Sequence, residues 1–136
     1  MADADNNLIR QLVRDVFNKH QLNSFDEMFC HDFVYSSEFI TAIKNRSWLK
    51  GMLAQVFTAF PDFSVVVESF GSQENIISLK LKFSGTLKND FMGISAAGQY
   101  FSGPGVVVFE MSNNKIKRIQ AKLETHDFLH QLKSAE

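Results

Sequence analysis

One cysteine and two prolines are all that this chain of 136 residues holds of those two residue types. The lone Cys30 has no partner in the chain for a disulfide, so crosslinks cannot hold the fold, and the thiol reads as a small structural side chain. Scarce proline beside fourteen phenylalanines excludes a linker-like or disordered chain. Basic charge is not in excess either. Fourteen Lys and Arg stand against fifteen Asp and Glu, so no positive field exists to attract a polyphosphate backbone, and nucleic acid is not an expected partner. No apolar run approaches the roughly 20 residues that span a bilayer, and no membrane partner is expected. Met1-Ala2-Asp3-Ala4-Asp5 carries neither the basic nor the apolar part of a secretion signal, which predicts a cytoplasmic protein.

What is present is periodic. A chain of this length fits one domain, 1–136, and folding can remove roughly two-thirds of its surface from water. Leu8, Leu12, Val13, Val16 and Phe17 recur at helical spacing, predicting an amphipathic helix over about 5–20 with Asp5 as its cap. Ser24-Phe25-Asp26-Glu27 matches a capping box and predicts a short second helix ending near Cys30. Phe33-Val34-Tyr35 reads as a brief strand. Leu49, Met52, Leu53, Val56, Phe57 and Phe60 define a third helix that Pro61 stops. The period then changes to two: Ile77, Leu79, Leu81 and Phe83 alternate with Ser78, Lys80, Lys82 and Ser84, as in an antiparallel strand with one wet face. Further strands are expected at 63–69, 100–111 and 116–124, and a closing helix at about 125–133. Three helices followed by antiparallel strands is an α+β order, with helices covering one face of a curved sheet.

Several pieces of the chain occur together in a recognisable order: Phe60-Pro61-Asp62-Phe63 after the third helix, Gly85-Thr86 after the alternating strand, Gly93 and Gly98 in the next loop, and Asn114-Lys115-Ile116 through Gln131-Leu132. In that order they resemble the SnoaL-like polyketide cyclases of the nuclear transport factor 2-like superfamily. The resemblance implies a cone: a bent antiparallel sheet wrapped around three helices, with a ligand pocket at the wide end. It also implies a homodimer through the outer sheet face, chemistry without metal or organic cofactor, and a small hydrophobic molecule as partner. Family members with known chemistry close rings by aldol addition, which requires a base for a proton alpha to a carbonyl and a donor to the enolate oxygen.

The family's acid/base pair, a His and an Asp, falls by this resemblance on Val107 and Ala121, and a frequent His after Gly-Thr falls on Leu87. None of the three side chains exchanges a proton. Catalysis, if present, must use other groups. Tyr35 stands where the family often has a pocket-facing polar residue, and its phenol can donate to an oxyanion. Glu124 occupies the position of a frequent family Asp, where a desolvated carboxyl can act as base. The expected ligand contacts are Tyr35, Trp48, Met52 and Val56 from the first half of the chain, with Phe101, Gly105, Val107, Ala121 and Leu123 from the last two strands.

Other polar residues carry blander readings. Glu38 is an acidic loop residue within reach of a pocket mouth, Asp62 shapes the turn after Pro61, and His20 ends the first helix. His126 and His130 stand one helical turn apart without a third ligand, and no metal site is expected. His31 beside Cys30 is the one nucleophile-like pair. Three function classes remain open: a cofactor-independent cyclase, isomerase or lyase, a binding protein for a hydrophobic metabolite, and a protein-interaction module.

Overall fold

The computed structural model describes residues 2–37 and 43–123. The stripe of the first segment forms α1, Ala2–Gln11, which runs on into a π-helical stretch, Leu12–Asn18. The wider turn shows in its hydrogen bonds: the Lys19 N–H reaches back five residues to the Arg14 carbonyl at 3.2 Å. Ile9, Leu12, Val13 and Val16 are buried, as their spacing requires. The expected Asp5 cap is not formed. The helix starts at Ala2, so Asp5 lies inside it on the core-facing stripe, buried, and its Oδ1 has no hydrogen-bond partner among the described residues.

The capping box at Ser24 is also overruled. Only a three-residue 3-10 turn, Asp26–Met28, forms there, Phe25 holds the cap position, and no side chain caps it. The cause is hydrophobic: Phe25, Met28 and Phe29 are all buried, the rings of Phe25 and Phe29 lie 4.3 Å apart, and the chain turns into strand β1, Phe29–Ser37, at once. A second helix has no room to propagate.

Helix α2 spans Arg46–Ala59, and the Asn45 side chain accepts the Trp48 N–H at 2.9 Å, satisfying one of the amides that a helix start leaves unpaired. Four strands follow: β2, Ser64–Gln73; β3, Ile76–Thr86; β4, Tyr100–Ser112; and β5, Lys115–Leu123. The single curved, unclosed sheet has the order β1-β5-β4-β3-β2. Its pairs are antiparallel except the first. β1 runs parallel to β5, opposite to the direction expected for the whole sheet, because no hairpin joins these two strands and their directions are independent. The alternation read in β3 holds: Ile77, Leu79, Leu81 and Phe83 are buried while Lys80 and Lys82 are exposed. Phe101, Val107 and Phe109 of β4 and Ile119 and Ala121 of β5 continue that inner face.

Two side chains fasten the first helical segment to the sheet. Asn18 donates from Nδ2 to the Val65 carbonyl at 3.1 Å and accepts the Val65 N–H on Oδ1 at 2.7 Å, so one carboxamide pairs both backbone groups of an edge-strand residue. His20 stacks on Phe57 with ring centres 4.1 Å apart and donates from Nε2 to the Phe63 carbonyl at 2.8 Å. Because a carbonyl only accepts, that bond places the imidazole proton on Nε2.

Candidate functional site

The inner face of β1, β5 and β4 brings several of the predicted positions together. Val107 and Ala121 stand directly opposite each other across β4 and β5, and both are buried. Gly105 and Leu123 are paired one step further along the same two strands. On the other side of β5, Tyr35 pairs with Ile119 and Ser37 with Ala121. Strand register thus gathers Tyr35, Gly105, Val107 and Ala121 from three strands, because same-face residues recur every second position and paired residues share a face.

Helix α2 supplies a wall that packs against β1. Trp48, Met52 and Val56 follow one another at four-residue steps on one side of the helix, and all three are half-buried against the core. Tyr35 is tied to this wall: its ring lies 5.7 Å from that of Trp48, tilted by 31°. Lys44, which sequence reasoning passed over, joins them. Its backbone bridges Tyr35 through bonds of 2.8 and 3.0 Å, and its Nζ lies 5.6 Å from the centre of the Trp48 ring. A lysine in a connecting segment gives no signal of this in the sequence.

Phe101 is placed elsewhere. It pairs with Gly85, is 1% exposed, and meets Phe60 edge-on at 4.9 Å and Phe83 at 5.4 Å. It belongs to an aromatic plug at the other end of β4. Leu87, the third family position, is fully buried. Glu124, Glu38, His126 and His130 lie outside the described residues.

The blander readings have concrete partners. Asp62 accepts the Thr86 N–H on Oδ1 at 2.7 Å and the Thr86 hydroxyl on Oδ2 at 2.8 Å. Burial pushes its carboxyl up, but those two bonds, with Lys88 nearby, outweigh the burial and hold it below its ordinary value. Cys30 and His31 are adjacent on a strand and so point to opposite faces: the thiol is directed at the Ser112 carbonyl, 3.8 Å away, while Nδ1 of His31 accepts from Arg46 at 3.3 Å. They form no nucleophile–base pair. Among the described residues no three metal-ligating side chains come together, and no helix is long and apolar enough to cross a membrane.

A family model for SnoaL-like polyketide cyclases matches residues 7–132. The chain belongs to the SnoaL-like polyketide cyclase family. No curated protein matches it. Solved structures resemble it over nearly its whole length. AclR of Streptomyces galilaeus, described as a candidate hydroxylase, superposes with a TM-score of 0.87 at 20% identity over 98% of this chain and 83% of its own. IdmH of Streptomyces antibioticus, a candidate polyketide cyclase, gives 0.81 at 19% identity over 95% and 98%. An LEH-like epoxide hydrolase of M. tuberculosis gives 0.77 at 11% identity over 98% and 92%. At such identities the likeness is one of fold, and a fold does not fix the reaction.

Proposed function

We propose that this SnoaL-like domain holds a small apolar carbonyl compound between α2 and the inner face of β1, β5 and β4, and acts on it as a cofactor-independent cyclase, isomerase or lyase. The observation that carries the reading is the patch itself: Val107 and Ala121 paired across two strands beside Gly105, walled by Trp48, Met52 and Val56, with the Tyr35 phenol at its margin. Small apolar side chains suit flat rings, and one oriented hydroxyl suits a carbonyl oxygen. Tyr35 donates to the developing oxyanion, and Glu124, directly after β5, serves as the base. Proton abstraction from a carbon beside the carbonyl then produces an enolate that closes a ring or returns the proton elsewhere.

One observation favours a second reading, in which the ligand is bound and not transformed. Both positions that hold the acid and the base in the family are apolar here, so the patch itself supplies no proton acceptor. Assembly as a homodimer through the outer sheet face accompanies either reading, with Val66, Tyr100 and Val106 exposed on that side.

Native mass spectrometry of the purified protein, followed by titration with a fluorescent aromatic ketone, tests the site. Saturable uptake that disappears in Ala121→Phe and weakens about tenfold in Tyr35→Phe is expected, the latter from one lost hydrogen bond. Uptake indifferent to both substitutions overturns it. Ring closure or isomerisation that survives Tyr35→Phe combined with Glu124→Gln removes those two groups from catalysis.

A further inference from the structure

A concavity of about 370 Å³ lies between the first helical segment and β2 and β3. None of the residues placed in the carbonyl site lines it. Its helical wall is built from three adjacent pairs: Ile9 and Arg10, Val13 and Arg14, Asn18 and Lys19. The pairs advance by four residues and then by five. The first step suits the α-helical turn and the second the π-helical turn that spans Leu12–Asn18, so the widened turn carries Asn18 and Lys19 onto the cleft. Continued α-helical winding would bring Phe17 to that face in place of Lys19.

The floor is equally specific. Val67 and Phe70 both face the cleft although they stand three positions apart, because a bulge between Val67 and Ser69 inserts one extra residue into β2. Leu79 of β3, paired with Phe70, completes an apolar base. Above it stand three cations. Arg14 is engaged by the Asp15 carboxylate through two bonds of 2.8 and 3.1 Å, and Lys19 reaches the same carboxylate at 4.0 Å. Arg10 has no carboxylate partner among the described residues, and its guanidinium carbon lies over the Phe70 ring, 4.5 Å from its centre. Three positive groups against one negative group leave the rim with unspent positive charge over an oily base.

We infer that this cleft binds an amphipathic carboxylate, its apolar body on Val67, Phe70 and Leu79 and its carboxylate between Arg10 and Lys19. The volume falls within the range of about 300–1,000 Å³ typical of small-molecule sites. A guanidinium presents paired donors that match a carboxylate. A lipid surface is a poorer occupant, since the apolar atoms lie at the bottom of a hollow, whereas membrane binding requires them to protrude. The cleft shares no residue with the carbonyl site proposed above, although Leu79 is the β3 partner of Val107.

Titration of the full chain with decanoate, below the concentration at which it forms micelles, tests the inference, with neutral decanol as control and amide ¹H–¹⁵N shifts as readout. Saturable binding is expected, with the largest shifts at Arg10, Val67 and Phe70. Decanol should bind about tenfold more weakly, the equivalent of one charge-assisted hydrogen bond. Arg10→Gln combined with Lys19→Gln should weaken decanoate by a similar factor and leave decanol unchanged. Both side chains are exposed, so the variant keeps its fold, and an unchanged circular dichroism melt verifies that. Equal affinity for decanoate and decanol, or no effect of the double substitution, overturns the inference. Shifts confined to Trp48, Met52 and Ala121 also overturn it, while leaving the carbonyl site standing.

Discussion

The two ends of α2 meet the same sheet in different ways. At its C-terminal end Phe57, Ala59 and Phe60 are buried, and Phe60 meets Phe91 and Phe101 edge-on at 5.3 and 4.9 Å. Toward its N-terminal end Trp48 and Met52 are only half covered, although Leu49 between them is buried. Large rings interlock at one end, and the other keeps more of its apolar surface exposed. The contrast teaches that one helix divides its work along its length, stabilising the fold where rings interlock and offering surface where they do not.

Substitutions at each end sharpen or break this contrast. Phe60→Ala should have the largest effect, a loss of about 3–5 kcal/mol in chemical denaturation, because the surrounding rings cannot collapse into the gap. Gly85→Ala comes next. A Cβ there would stand 3.1 Å from both Phe60 Cβ and Phe101 Cε1, so one methyl should cost about 1–3 kcal/mol. Ala121→Val, which adds more volume at the other end, should cost under about 1 kcal/mol. A loss matching that of Gly85→Ala would mean that both ends are packed alike, and the contrast would fail.

The smallest effect belongs to Asp62→Asn, which weakens the latch on Thr86 beside the aromatic plug. Because folding lowers the Asp62 carboxyl below its unfolded value of about 3.9, its contribution is complete above that pH and is lost as pH falls through the lowered value. Denaturation at a series of pH values should show the gap between the native chain and Asp62→Asn narrowing on acidification. A gap that stays constant from neutral to strongly acidic pH would assign the latch to geometry alone.

Periodicity made β3 and α2 legible before any coordinates, since alternation and four-residue steps are local properties that burial then enforces. Long-range choices were not. That β1 lies parallel to β5 depends on partners from opposite ends of the chain, and the π-helical winding of Leu12–Asn18 leaves the apolar stripe almost unchanged. Ser24 carries a sound local signal that failed because burying Phe25 and Phe29 outweighs one cap. For the proposed carbonyl site, strand parity correctly put Val107 and Ala121 on the inner face. It says nothing of depth along the strand, which is why Phe101, on the same face, turned out to lie in the plug. The cleft beneath Arg10 had no sequence signature, because a bulge and a widened turn create it jointly.

The Asn18 carboxamide has a further effect on how the molecule behaves in company. An outermost strand is an open invitation for another polypeptide to zip alongside it. At Val65 the invitation is withdrawn, since a side chain mimics the neighbour that a foreign strand would supply, and an intruder must first evict it. Losing Asn18 would therefore threaten solubility at high concentration well before it threatened the fold.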